Sequence, residues 1–365
     1  LNINEINNTI IQGHTLDIIK KLPDNCIDMI ITSPPYWGLR DYGLKSIIWN
    51  GKKNCNHSWN EIIKKPQGGK GSKCANVGAN KNDFANARDH NIISNSCSIC
   101  GAWKGQLGQE PNFQLYINHL LEIFNECKRI LKNTGSVWVN LGDSYCGTGN
   151  KGNLTDPKYP KGRNGQSVAI NRKIDGIKQK SLVGIPDRFK ISMIDDGWIC
   201  RNEIIWHKPN QMPTSVKDRF TVDFEKFYFF TKESKYYFEQ QLEKSIWADL
   251  DKRYETGATI GEKGILKKYA LNESGKYRKD KMRNKRCVWS INTKPLKEAH
   301  FAIYPELLIE TPIKSCCPEN GLVLDLFFGS GTTGVVAKKL NRNYLGIELN
   351  PKYIDIAEKR LQNMS

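Results

Sequence analysis

Two hydrophobic periods alternate along the chain. Ile27 to Thr32 is a short apolar run that stops at Pro34-Pro35, the pattern of a buried strand. From Gln114 to Leu131 the apolar residues fall at helical spacing, and Gly135 follows as a stop signal. Ser136 to Leu141 then reads as a strand, as do Ile204 to Trp206 and Phe227 to Thr231. Pro305 is placed to open a helix as its first residue. Val323 to Leu326 predicts a strand, followed by a glycine turn and a helix from Thr332 to Leu340. Leu345 to Glu348 predicts another strand, with a helix from Pro351 to Leu361 behind it. Strand and helix alternate, so the fold class is α/β with a mostly parallel sheet.

These elements fall in three apolar regions: Ile3 to Tyr42, Phe113 to Leu141 resuming at Leu182 to Thr231, and Val288 to Leu361. Lys-, Asn- and Gly-rich stretches separate them and read as insertions on a compact scaffold. The length of 365 residues allows two to three domains, or one large domain with insertions. No run approaches the ~18 apolar residues of a membrane span. The polar opening around Glu5 lacks a secretory pattern, so a soluble, cytoplasmic protein is expected. In that setting the 11 cysteines point to metal binding and core packing rather than disulfides.

Charge adds a partner. The net charge is +17 and the pI about 9.3, which points to a polyanion. Nine Lys/Arg face three acids in 51–104, eight face two in 147–180, and twelve face five in 251–286. Those stretches carry +19 together, so the remaining scaffold is slightly acidic at −2. The basic character belongs to the insertions.

Candidate chemistry sits at two places. In Val323-Leu324-Asp325-Leu326-Phe327-Phe328-Gly329-Ser330-Gly331-Thr332-Thr333, a strand runs through a glycine turn into a helix start. Glycine lets such a turn bend sharply and approach a ligand, and the helix start offers free N–H groups. Glu348 ends the next strand, where an acid takes ribose hydroxyls in nucleotide-type α/β folds. NAD and S-adenosylmethionine both fit this pattern. The second place is Ser33-Pro34-Pro35-Tyr36. Two prolines stiffen the strand end, leaving hydrogen-bond acceptors beside an aromatic face. Such a cluster suits a planar group carrying an amine.

Ser33-Pro34-Pro35-Tyr36 and Phe328-Gly329-Ser330-Gly331-Thr332-Thr333 together resemble the catalytic and cofactor motifs of amino-group DNA methyltransferases, the site-specific cytosine-N4/adenine-N6 family. The order of the motifs resembles the circularly permuted β-group. The resemblance extends to Asn140-Leu141-Gly142-Asp143-Ser144-Tyr145, Trp206-His207-Lys208-Pro209-Asn210, His300-Phe301-Ala302 and Gly346-Ile347-Glu348-Leu349-Asn350. It implies a doubly wound, Rossmann-like sheet in which the Val323 and Ile27 strands are neighbours, with a DNA-recognition insertion, and the spacing of Cys55, His57, Cys97 and Cys100 adds a zinc-binding one. The catalytic core is then 1–50, 105–250 and 287–365, with a zinc-binding basic insertion at 51–104, a basic loop at 147–180 and a target-recognition region at 251–286.

The implied activity is methyl transfer from S-adenosyl-L-methionine to an exocyclic amine of a flipped base in double-stranded DNA. Ser33, Pro34, Pro35 and Tyr36 are the catalytic residues. The implied cofactor residues are His14, Asp325, Phe327, Gly329, Ser330, Gly331, Thr332, Thr333, Glu348, Asn350 and His300. Serine at position 33 favours cytosine-N4; adenine-N6 relatives more often carry Asp there. In Gln12-Gly13-His14, many relatives carry Asp where His14 stands; His14 hydrogen-bonds in its place or lies in a surface loop. Arg40, Lys208, Arg278, Lys279, Arg283, Lys285 and Arg286 are the candidate DNA contacts. Expected partners are DNA and a cognate restriction endonuclease, without a membrane, for a monomer or homodimer of prokaryotic or phage origin.

Cys55-x-His57 and Cys97-x-x-Cys100 offer four soft or borderline ligands in two close pairs, which suits a closed structural zinc site. Cys74 is an alternative ligand. Two other readings stand beside the leading one: methylation of RNA or of a protein glutamine amide, and a zinc-containing DNA-binding protein with an inactive methyltransferase core.

Overall fold

The computed structural model describes residues 3–38, 46–52, 54–62, 94–147, 174, 176–214, 216–244, 282–294 and 304–364. In chain order its elements are α1 (Ile3–Ile6), β1 (Thr9–Gln12), α2 (Thr15–Ile19), β2 (Ile27–Thr32), β3 (Ile47–Trp49), β4 (Trp59–Ile62), β5 (Ser94–Cys97), β6 (Trp103–Gly105), α3 (Phe113–Ile130) and β7 (Leu131–Leu141). There follow α4 (Ile185–Asp195), β8 (Ile199–His207), β9 (Phe224–Thr231), β10 (Leu242–Lys244), β11 (Met282–Asn284), β12 (Val288–Ser290), α5 (Glu306–Cys316), β13 (Leu322–Asp325), α6 (Thr332–Lys339), β14 (Asn343–Glu348) and α7 (Pro351–Gln362). The chain divides into two compact units. One comprises 1–34, 126–141 and 194–365; the other comprises 35–125 and 142–193.

The first unit is built on an eight-stranded sheet of order β1-β14-β13-β2-β7-β9-β8-β12. The run from β1 to β7 is parallel, β9 lies antiparallel to both its neighbours, and β12 is parallel to β8. The expected adjacency is present: Val323 pairs with Met29 and Leu324 with Ile30. Burial explains why these central strands read as apolar runs. Met29, Ile31 and Val323 join a core cluster with Leu308, Ile313, Val336 and Leu361 of the helices. Ile27, Ile30 and Leu324 are equally buried outside that cluster, as in a sheet covered on both faces. Farther along, Trp138 stacks on Phe229 with ring centroids 4.5 Å apart and 8° between planes.

Four expected boundaries move. Gly135 does not separate helix from strand, because β7 starts at Leu131 directly after α3. The register is irregular there: Ile27 pairs with Leu131, but Met29 already pairs with Ser136. The intervening residues bulge from the ladder, and regular pairing resumes where the strand was expected. Pro305 is the N-cap of α5 in extended backbone, so Glu306 opens that helix instead. The β8 and β9 strands are longer than their apolar cores: β8 begins five residues earlier, at the partly exposed Ile199, and β9 three residues earlier, at the exposed Phe224.

The glycine turn is held by packing as well as by backbone conformation. Phe328 is buried and stacks on Tyr344, with centroids 5.8 Å apart. A Cβ at Gly346 would lie 2.4 Å from Phe328 Cγ. Gly346→Ala is therefore expected to destabilise the protein by about 1–3 kcal/mol through overpacking. A lowered denaturation midpoint with an unchanged slope would show it.

The second unit carries a four-stranded antiparallel sheet of order β3-β6-β5-β4. It takes in the described part of the basic insertion 51–104 together with residues that the sequence assigns to the core. Its strands are only three or four residues long.

Candidate active site

The carboxyl ends of β1, β14, β13 and β2 lie side by side in the first unit, where ligands bind in open α/β sheets. Asp325 ends β13 and is 1% exposed. Its Oδ1 accepts from Thr32 Oγ (2.7 Å) and from the Phe327 amide (3.1 Å). Its Oδ2 accepts from Thr333 Oγ (2.5 Å) and Tyr304 Oη (2.8 Å). Tyr304 Oη also meets Thr333 Oγ. Burial pushes the Asp325 carboxyl up, against the pull of these four donors. The Tyr304 hydroxyl is likewise raised by burial and by the Asp325 charge. Asp325 thus ties the start of α6 and the end of β2 to the glycine turn. Ser33 and Pro34 follow directly on Thr32, so the first half of the acceptor segment leaves the sheet at this knot.

Beyond β13, Gly329 and Gly331 have φ of 53° and 82°, in the left-handed region that glycine enters without penalty. Glu348 closes the other side. Its Oε2 accepts the Gly329 amide and its Oε1 the Asn350 amide, both at 2.7 Å. Burial raises its carboxyl, opposed by those amides. The Leu349 amide also faces this carboxylate, and a carboxylate has about four lone-pair sites, so about one remains. Asn350 caps α7 by accepting from the Lys352 amide. Ser330 and Thr332 are tied by Arg360, whose Nη1 donates to Ser330 O (2.7 Å) and Thr332 Oγ (3.1 Å). Phe327 is half-buried, in contrast to Phe328.

His14 follows β1, whose Gln12 pairs with Glu348. The Gly13 amide donates to Glu348 O (3.0 Å), and Thr15 Oγ donates to Leu326 O (2.7 Å). His14 therefore stands at the edge of the same turn, and burial lowers its pKa.

The second half of the acceptor segment belongs to the second unit. Pro35 O accepts from Tyr116 Oη at 2.8 Å. The Tyr36 ring packs on bare backbone: a Cβ at Gly142 would lie 2.6 Å from Tyr36 Cε2. Asp143 fixes that glycine from the next position, since it accepts the amides of Ser144 (2.8 Å) and Ile185 (3.0 Å) and so closes the start of α4.

The four sulfur and imidazole ligands also come together in this unit. One ligand atom from each of Cys55, His57, Cys97 and Cys100 lies within 4.8 Å of all the others. Cys55 Sγ is 3.8 Å from Cys97 Sγ, and Cys100 Sγ is 3.4 Å from His57 Nδ1.

A sequence model of the DNA methylase family, the N6 and N4 methyltransferases, matches residues 27–359. The chain belongs to this family. This methylase is 34% identical over 356 residues to the type II methyltransferase M.Cfr9I of Citrobacter freundii, covering 97% of its own length and 87% of that relative. It is 31% identical over 355 residues to the type II methyltransferase M.SmaI of Serratia marcescens, with coverages of 96% and 90%. Among solved structures, the cytosine-N4-specific PvuII DNA methyltransferase matches with a TM-score of 0.52 at 16% identity, over 97% of this chain and 86% of that one. A DNA modification methylase from Thermus thermophilus, complexed with S-adenosyl-L-methionine, matches with a TM-score of 0.50 at 15% identity, over 98% and 93%. Both share the fold of this methylase.

Several expected contacts of the methylase are engaged within its own surface. Lys208 Nζ pairs with Glu225 Oε1 and lies 4.3 Å from the Trp206 ring centroid. Arg283 and Arg286 both bind Glu243 Oε1, at 3.0 and 2.6 Å. Lys285 Nζ sits 5.3 Å over the Trp289 ring. Arg40, Arg278, Lys279, His300 and Cys74 lie outside the described residues. No described helix is long and apolar enough to cross a membrane. Tyr304, Thr32, Thr15, Arg360 and Asp143 do not stand out in the sequence. Each acts through a hydrogen bond to a distant residue, and only the Asn140–Tyr145 motif hints at one of them.

Proposed function

We propose that this methylase transfers a methyl group from S-adenosyl-L-methionine to the N4 amine of a flipped cytosine in double-stranded DNA. The observation that carries the reading is the acceptor segment. Ser33 and Pro34 leave β2 directly after the Thr32–Asp325 hydrogen bond, beside the strand end that bears the glycine turn. Ser33 Oγ and the Pro34 carbonyl would accept the two amine protons, favouring a more pyramidal and nucleophilic nitrogen. Tyr36 would stack on the base, which has to leave the duplex to be reached. Serine at position 33 rather than an acid favours cytosine.

The donor supplies an electrophilic methyl when bound. The residues present fit it: Glu348 keeps acceptor capacity for a ribose hydroxyl, Gly329 and Gly331 allow close backbone approach, and Phe327 offers a partly exposed ring. Asn350 and His14 flank the glycine turn, which Ser330, Thr332 and Thr333 complete. Asp325 is saturated by protein donors, so its role is to position the turn. After attack, the methylated amine is a cation and very acidic, and can lose its proton to Ser33 Oγ, a backbone group or water. Catalysis is then mostly positioning and electrostatics. The chain order, acceptor segment before glycine turn, is that of the permuted β-group.

Cys55, His57, Cys97 and Cys100 would hold zinc. Tetrahedral thiolates about 2.3 Å from zinc stand about 3.8 Å apart, and the Cys55–Cys97 separation is 3.8 Å. With four protein ligands the role is structural. The basic insertions, including Arg278 and Lys279, would grip phosphates, which fix register without reading sequence. Like its type II relatives, the enzyme would serve a restriction–modification system beside a cognate endonuclease.

Product analysis tests the assignment. Unmethylated DNA of mixed sequence is incubated with labelled S-adenosylmethionine, digested to nucleosides and examined by mass spectrometry. N4-methylcytosine is expected. N6-methyladenine would overturn the choice of base and leave the family assignment intact.

A further inference from the structure

Glu110 is fully buried in the second unit and plays no part in the mechanism above. Its Oε2 accepts the Gly108 amide at 2.8 Å, and its Oε1 meets His119 Nδ1 at 2.9 Å. Its own carbonyl accepts from Trp37 Nε1 at 3.0 Å. Gly108 in turn accepts at its carbonyl from the Gly38 amide (2.8 Å). With φ of 89°, Gly108 presses on the acceptor segment so closely that a Cβ there would lie 3.1 Å from Tyr36 O and 3.2 Å from Pro35 O. The carboxylate therefore holds the loop that backs Pro35, Tyr36 and Trp37.

His119 is also fully buried and lies between two indoles. Trp49 stacks at 4.4 Å and 20°, and Trp103 at 5.5 Å and 26°. These tryptophans are cross-strand partners on β3 and β6. Trp103 also pairs with Ser96 on β5, one residue before Cys97 of the Cys/His cluster. A continuous packed path thus runs from that cluster through Trp103 and His119 to Glu110, Gly108 and the Tyr36 carbonyl. A buried carboxylate is costly unless paired and hydrogen-bonded. An amide or an apolar side chain could fill this space without that cost.

We propose that Glu110 and His119 form a positioning pair for methyl transfer, holding the Pro35–Trp37 segment against the short sheet that the Cys/His cluster anchors. The inference rests on the reading that Tyr36 stacks on the target base. The geometry limits what a substitute can do. Glu110→Gln keeps an oxygen for the Gly108 amide, but its NH2 can face His119 Nδ1 only if the ring proton moves to Nε2. That nitrogen is buried without a hydrogen-bond partner among the described residues. His119→Phe keeps the stack on the tryptophans and removes the pairing.

Glu110→Gln, His119→Phe and Tyr36→Ala are assayed together in the full chain, using unmethylated mixed-sequence plasmid DNA and labelled S-adenosylmethionine. Both pair variants are expected to lower kcat at least tenfold, with cofactor KM and calorimetric cofactor affinity within twofold of the parent. Glu110→Asp combined with His119 intact is expected to recover part of kcat. Parental kcat in either pair variant, with kcat of Tyr36→Ala lowered at least tenfold, would overturn the positioning role alone. A matching loss of cofactor affinity and melting temperature in both would also overturn it, since that is general destabilisation. Parental kcat in Tyr36→Ala would overturn the stacking reading, and the proposal with it.

Discussion

Replacing both Ser33 and Tyr36 by Ala is expected to reduce methyl transfer by at least about a thousandfold while DNA and cofactor binding persist. Two separable losses add. Stacking of a base on an aromatic side chain is worth about 1–3 kcal/mol, so removal of the Tyr36 ring alone costs roughly tenfold or more in occupancy of the reactive pose. Removing the Ser33 hydroxyl takes away one acceptor for the amine, and misplacement of a reacting group by about 1 Å costs about a hundredfold. Neither change touches the donors to Asp325 or the amides that hold Glu348. Cofactor affinity should therefore stay near parental. Tyr36→Phe should retain most of the rate, because the ring packed on Gly142 is what stacks. Single-turnover transfer of labelled methyl, measured with DNA binding by anisotropy, checks the prediction. Parental turnover in the double variant would remove both residues from the chemistry.

The legible part of this protein is the part that rests on local patterning. The β2 and β13 runs are buried on both faces, so their apolar character survives any register. The glycine turn is legible because Gly329 and Gly331 occupy conformations other residues rarely adopt. The misplaced boundaries have local causes too: the Gly135 signal is real, but it marks a bulge in β7 rather than the end of α3. What cannot be read is long-range. Thr32 and Asp325 are 293 residues apart, and neither side chain announces the other. The Glu110–His119 pair is near in sequence, but its meaning depends on Trp49 and Trp103, which two different strands deliver. The clustering of Cys55, His57, Cys97 and Cys100 is legible from spacing alone. The four-stranded sheet around them is not, since its strands are too short to show a period.

Those short strands set up the second large effect. On the proposal that Cys55, His57, Cys97 and Cys100 hold zinc, chelation is expected to unfold the four-stranded sheet and abolish methyl transfer. Three- and four-residue strands bury little, whereas binding of a structural zinc ion contributes about 10–16 kcal/mol of apparent folding free energy in small domains. The buried anchors of the sheet are few, chiefly Trp49 and Trp103, and Trp59 lies 4.8 Å from the His57 ring. Tryptophan emission should therefore shift to the red when a strong chelator is added, and metal analysis of the untreated protein should return about one zinc per chain. Cys97→Ser should reproduce the loss without chelator. The readout that separates this from general unfolding is the cofactor. Every described residue proposed for it lies in the first unit, and all four residues proposed for the metal lie in the second. Chelated protein should then bind S-adenosylmethionine with near-parental affinity while transferring no methyl, and added zinc should restore transfer. A zinc-free sample that is folded and fully active would refute the metal assignment. Parallel loss of cofactor affinity and activity would show instead that the metal supports the whole chain, and that the two units do not fold independently.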